Sequence, residues 1–188
     1  MVSLIYYLFY NYFIYNYMEK IIRILLVGDS NIGKSSFMLK YDDNNIKLTS
    51  ASTSTTFSFD FRIKHTRINN QPVRLQLWDT SGSHRFKYIT TAYFKGADII
   101  LLCYSVTDKD SFINVDFWIN EIAMYCTYIN HVSLIALQTD SPNRIISKNE
   151  GTDLAAKYNI PYYEVSSYSN ENVNSTFDSA VGNFLKQK

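Results

Sequence analysis

Eight residues constrain this chain more than any others: Gly28-Asp-Ser-Asn-Ile-Gly33-Lys34-Ser35, which fit the spacing G-x-x-x-x-G-K-[ST]. They follow the apolar run IIRILLV (Ile21–Val27), which reads as a buried strand, and they lead into Lys34–Tyr41, which reads as a helix. That order of strand, glycine loop and helix is the context the motif requires. The glycines let the backbone curl tightly, so the N–H groups from Gly28 through Asp29, Ser30, Asn31, Ile32 and Gly33 to Lys34, Ser35 and Ser36 point at phosphate oxygens. The helix adds its positive N-terminal end. Lys34 is then placed to hold the β- and γ-phosphates, and the Ser35 hydroxyl to ligate Mg²⁺. The competing reading, a chance glycine turn with an exposed lysine, does not explain the flanking strand and helix.

The remaining chain alternates apolar runs with helical patterns. That predicts an α/β fold: a doubly wound, mostly parallel six-stranded sheet with one antiparallel edge strand and helices on both faces. TFSFDFRIKH (Thr56–His65) alternates as a strand, and INNQP turns it into VRLQLWD (Val73–Asp79), so these two form a hairpin. DIILLCYSV (Asp98–Val106) and VSLIALQ (Val132–Gln138) are continuous apolar runs, as central parallel strands require, and PYYEVS (Pro161–Ser166) is a last short strand. DKDSFINVDFWINEIAMYC has helical spacing. Asn172–Lys186 closes as an amphipathic helix with Val173, Phe177, Val181, Phe184 and Leu185 inward. Asn44–Thr55 has neither period and reads as an exposed polar loop.

The 188 residues, 46% of them hydrophobic, suit one domain over residues 18–188. A net charge of +1 with scattered Lys and Arg argues against a nucleic-acid partner. Cys103 and Cys126 are too few for a disulfide framework, which points to a reducing, cytoplasmic setting. Residues 1–17 form an uncharged aromatic extension, VSLIYYLFYNYFIYNY after Met1. It is short for a membrane span and lacks the basic start of a signal peptide. An interfacial anchor giving peripheral membrane contact, and a true start at Met18, both stay open.

A phosphate loop alone does not choose among ATPases, kinases and GTPases. Asp79-Thr-Ser-Gly82 supplies D-x-x-G at a strand end, where Asp79 steadies Mg²⁺ and the Gly82 amide senses a γ-phosphate; Thr56 stands as a second hydroxyl ligand. With GDSNIGKSS, TFSFDF, RLQLWDTSG, RFKYITTAYFKGAD, CYSVTDKDSF and EVSSYSNENV, the chain resembles the Rab branch of the Ras-like small GTPases from about Lys20 to Lys186. The resemblance implies a GTP/GDP-binding, Mg²⁺-dependent switch for vesicle traffic. Its partners would be effectors, exchange proteins and activating proteins. It also implies that Phe61, Trp78 and Tyr93 form an aromatic trio that displays the switch state to effectors.

Four departures qualify that reading. The guanine-reading N-K-x-D appears as Leu137-Gln138-Thr-Asp140. Asp140 still accepts from the guanine edge, Leu137 cannot make the amide contact, and Gln138 replaces a lysine stem that packs over the base. Ser166 and Ser167 stand where the family's S-A-K loop backs the base, and Ile46 where an aromatic usually flanks it. Ser83 replaces the Gln that orients the attacking water, which predicts slow or helper-dependent hydrolysis; His84 is a poor substitute on a loop. Asn31 adds bulk to the phosphate loop. The chain ends FLKQK without a cysteine for prenylation, so no prenyl anchor is expected. A Rab-like binding module with little or no turnover is therefore the alternative to a cycling switch.

Overall fold

The computed structural model describes residues 19–48, 59–82, 93–126 and 131–186. Within them, six strands form one sheet: β1 (Lys20–Val27), β2 (Phe59–Ile68), β3 (Gln71–Thr80), β4 (Ile99–Ser105), β5 (Val132–Leu137) and β6 (Tyr162–Val165). Their order is β2-β3-β1-β4-β5-β6, and only the edge strand β2 runs antiparallel to its neighbour. The expected fold class is the observed one.

Each strand follows from its residues. β4 and β5 lie between neighbours and under helices, so IILLCYS and VSLIAL are buried at every position. β3 has one face nearer solvent and alternates buried with half-buried residues. Asn69 and Asn70, both at positive φ (52° and 63°), close the β2–β3 hairpin in the conformation that asparagine tolerates and that matches strand twist.

Helices cover both faces. On one lie α1 (Lys34–Asp42) and α5 (Val173–Lys186), where Tyr41 stacks on Phe177 at 3.9 Å between ring centroids. On the other, α2 (Lys109–Ile113), α3 (Val115–Tyr125) and α4 (Lys148–Lys157) bury Trp118, Ile122 and Ala155 against the sheet. The stretch expected as one helical pattern after Val106 is thus two helices. Asp108 caps the first by accepting from the Asp110 and Ser111 amides, and the chain re-forms a helix after Asn114. α4 was not foreseen, although Ser147 and Glu150 form a reciprocal capping box at its start.

Candidate nucleotide-binding site

β1 lies between β3 and β4, the point where strand order reverses, and crevices for ligands open at the carboxyl ends of strands there. The loop from Gly28 to Gly33 leaves β1 at that point. Gly28 has φ 132°, and a Cβ on it would fall on the Cys103 carbonyl oxygen of β4, so only glycine fits. Gly33, at φ 101°, starts α1 with no side-chain cap, leaving that helix end to offer its amides to an anion. Asn31 is exposed at φ 63°, a conformation asparagine adopts more readily than most residues, so its bulk points away from the loop's interior.

Lys34 is only 5% exposed, and its Nζ donates to the carbonyls of Gly28 (2.9 Å) and Asp29 (2.6 Å). Burial pulls its pKa below the usual lysine value, while Asp79, Cys103 and Asp29 oppose that shift. A buried cation pinned to loop carbonyls suits a site whose ligand brings negative charge. Beside it, the Ser35 hydroxyl donates to Oδ2 of the fully buried Asp79. Gly82 packs so closely on the loop that a Cβ there would meet the Asp29 carbonyl carbon and the Ser30 amide nitrogen. The D-x-x-G turn and the phosphate loop are therefore in direct contact.

The Ser35 hydroxyl and Asp79 carboxylate are hard oxygen donors. That donor set fits Mg²⁺, which takes few protein oxygens and completes its shell with phosphate and water. Thr56, Ser83, His84 and residues 1–17 lie outside the described residues.

A cleft of about 560 Å³ opens next to the loop, the size of a small-ligand pocket. Gly33, Ser36, Leu137, Gln138, Asp140 and Ser167 line it, which unites most of the residues predicted to hold the base. Ser166 does not line it. That side chain is buried, and its Oγ accepts from the Ser169 amide (3.0 Å), so it shapes the turn that presents Ser167. Ile46 also stands elsewhere; its carbonyl accepts from Lys40 Nζ, and Leu48 lines the cleft in its place. Pro142 and Tyr168 complete the rim, Tyr168 at 82% exposure. Gln138 lines the cleft, and its Nε2 also donates to the Ile32 carbonyl of the phosphate loop (3.3 Å).

On the sheet's outer edge Phe61 and Trp78 are direct β2–β3 partners with ring centroids 4.7 Å apart, and Trp78 meets Tyr93 at 4.9 Å. The predicted trio is one continuous cluster of tilted rings, with Phe61 37% exposed. A further contact was not visible in the sequence. Both carboxylate oxygens of Asp29 are held, Oδ2 by Asn114 Nδ2 (2.6 Å) and Oδ1 by the buried Trp118 Nε1 (2.7 Å). The phosphate loop is thereby tied to the α2–α3 junction.

A doubly wound sheet with a glycine phosphate loop at its reversal point, and D-x-x-G packed on that loop, defines the small-GTPase class of α/β domain. Residues 23–186 match the Ras family. "Ras-related protein SEC4" of Candida albicans is 41% identical over 160 residues, spanning 85% of this chain and 75% of that protein. The Saccharomyces cerevisiae protein of the same name is 37% identical over 159 residues, 85% of this chain and 73% of that one. The chain belongs to the Ras family, as a Rab-type small GTPase.

Proposed function

We propose that this protein is a guanine-nucleotide switch that engages effectors in vesicle traffic and hydrolyses GTP slowly. The observation that carries the reading is the buried Lys34, held inside the loop by two carbonyls next to the Ser35–Asp79 pair. Such a cation stands ready to face phosphate, and desolvation strengthens that attraction. The site would belong to a domain over residues 18–188, preceded by the aromatic stretch 1–17.

In this reading the amides from Gly28 to Ser36 cradle the phosphates, Lys34 neutralises the β- and γ-oxygens, and Ser35, Asp79 and Thr56 hold Mg²⁺. The metal, when bound, offsets charge that develops on the phosphates during transfer. Asp140 reads the guanine edge, and Ser167 backs the base. With Leu137 unable to offer an amide, guanine affinity is lower by roughly one to two decades than with that contact. Ser83, in place of a water-orienting Gln, leaves hydrolysis below even the intrinsic rate of this class, on the order of 10⁻⁴ s⁻¹. Phe61, Trp78 and Tyr93 present the switch state to a partner. Among the described residues no helix is long and apolar enough to cross a membrane.

The test is the nucleotide extracted from purified protein, followed by single-turnover GTP hydrolysis in Mg²⁺. Guanine nucleotide with slow decay is expected, and Ser83→Gln is expected to speed that decay. An unchanged rate in Ser83→Gln refutes the hydrolytic assignment. A second reading, a Rab-like binding module with little turnover, is favoured by the aromatic trio, whose ring contacts need no hydrolytic residue; protein free of nucleotide that still binds a partner through this trio would select it.

A further inference from the structure

We infer that the aromatic stretch of residues 1–17 docks across the outer face of β1, β3 and β2 and covers the aromatic trio, so that the chain competes with its own partners for that surface. The competition rests on the nucleotide-switch reading above; the docking does not. Through β3, the register sets His65 level with Ile21 and Ile63 level with Arg23, on the face that carries Phe61 and Trp78. There Ile21 is 42% exposed, Ile63 47% and Phe61 37%, three of the seven large apolar side chains exposed among the described residues. Next to Trp78 and Tyr93 the same face holds a cavity of about 210 Å³, with Arg23 and Leu25 in its wall. An apolar stripe that ends in a cavity, rimmed by charged groups, has the make-up of a contact surface.

The occupant follows from where the chain enters. Eighteen residues precede Glu19, and the Glu19 carboxylate reaches across β3 to lie 2.8 Å from His65 Nδ1 on this face. That contact directs the incoming chain toward β2. Crossing from β1 to β2 while advancing from His65 to Phe61 is a diagonal of about 16 Å. Five or six extended residues span it, so the stretch VSLIYYLFYNYFIYNY has the length to cross the stripe and still bring rings to the cavity. Its chemistry matches as well: it has no charge and carries six Tyr and two Phe. Such rings pack on Ile21, Ile63 and Phe61 and lie over the guanidinium groups of Arg23 and Arg74. A second copy is a poorer cover, because it crowds the Arg23 and Arg74 of both chains into one interface. The stretch also lacks the basic residues that hold an aromatic segment at an anionic membrane.

Maleimide labelling of the full chain reads the cover. Cys103 is buried, and Cys126→Ser removes the half-buried thiol, so labelling reports the thiol introduced by Ile63→Cys. That thiol is expected to react slowly. Adding Phe9→Ser and Phe13→Ser, which precede β1 and leave its strand intact, should speed the reaction at least about tenfold, the scale on which losing two buried rings shifts a docking equilibrium. Ile145, 57% exposed on a loop elsewhere, supplies the control: the thiol of Ile145→Cys should label at one rate with or without the two serines. Acrylamide quenching is a second readout. Trp118 is 1% exposed, so quenching reports Trp78, and the serine substitutions should raise it about twofold as a half-buried indole loses its cover.

Labelling of Ile63→Cys that ignores Phe9→Ser and Phe13→Ser overturns the docking. Protection that grows with protein concentration marks a second copy as the cover and overturns it too. So does protection that arises only when vesicles of phosphatidylcholine and phosphatidylserine are added, which marks a membrane anchor. Unchanged quenching of Trp78 overturns the cover of the trio. Protection at every protein concentration, in a chain that takes up no guanine nucleotide, keeps the docking and refutes the switch reading instead.

Discussion

Replacing Asp29 by asparagine tests how the phosphate loop is held. In the wild type, one carboxylate oxygen accepts from Asn114 Nδ2 and the other from Trp118 Nε1. Each is a hydrogen bond to a charged group, about 1.5–3 kcal/mol. An asparagine keeps one acceptor oxygen, so one bond survives as a neutral bond of about 1 kcal/mol, while its own N–H groups face the donor of Asn114. Asp29 is half-buried, and water recovers part of the loss. The net cost is then about 2–3 kcal/mol, which for a domain of this size lowers the unfolding midpoint by roughly 4–12 °C. Urea and thermal unfolding measure it, with Trp118 fluorescence in a Trp78→Phe background reporting on the loop itself. The exchange Asp29→Asn/Asn114→Asp is the sharper arm. Asparagine at position 29 then gives its oxygen to Trp118 and its N–H to the new carboxylate, so most of the stability should return. A cost below about 0.5 kcal/mol, within the usual range of a surface substitution, refutes the clamp. So does an exchange variant no more stable than the single one.

Two further perturbations probe the same core. Burial pushes the Cys103 thiol up to about 12 and the Tyr104 phenol likewise to about 12, and it raises Tyr41 and Tyr162 as well. Between roughly pH 9 and 12 the unfolded chain loses these protons while the folded chain keeps them, so stability is intact below that window and falls as pH rises through it. The lowered pKa of Lys34 acts with the opposite sign, but one amine faces four such groups, so urea midpoints should drop between pH 9 and 10.5; a flat profile refutes the balance. Gly82→Ala places a methyl group on the Asp29 carbonyl and the Ser30 amide, and one of the two segments must move. It should weaken nucleotide retention by at least about tenfold, read by release of labelled GDP, and wild-type release would show that the loop and the D-x-x-G turn separate freely.

The parts legible in the sequence are those set by local rules. A glycine spacing between an apolar run and a helix places the loop, and continuous apolar runs place β4 and β5 at the centre of the sheet. The aromatic trio follows because Phe61 and Trp78 sit on adjacent strands of one hairpin, where a turn of two asparagines fixes the register. The clamp on Asp29 obeys no local rule: Trp118 is 89 positions away, and only the packing of α3 on the sheet brings its indole to the loop. α4 is missed for a different reason. KNEGTDLAAK buries only Gly151 and Ala155, so its apolar period is faint and only the capping box announces it.

The pair Leu137–Gln138 shows why a motif comparison misjudges single positions. Read residue by residue, an amide is lost at 137 and a stem is lost at 138. In the fold the two positions meet different surroundings. Leu137 is buried in the cluster with Ile32 and Phe37, which an apolar side chain satisfies and an amide would satisfy only by finding partners. The Ile32 carbonyl and the Ser105 and Thr107 hydroxyls are partners of the Gln138 carboxamide. The carboxamide stands one residue beyond Leu137. A one-residue move at a strand end swings a side chain to the other face unless the backbone turns with it. The left-handed φ at 138 supplies that turn. Residue identity alone encodes neither the turn nor the partners of the carboxamide, so the contacts made at position 138 are legible only in the fold.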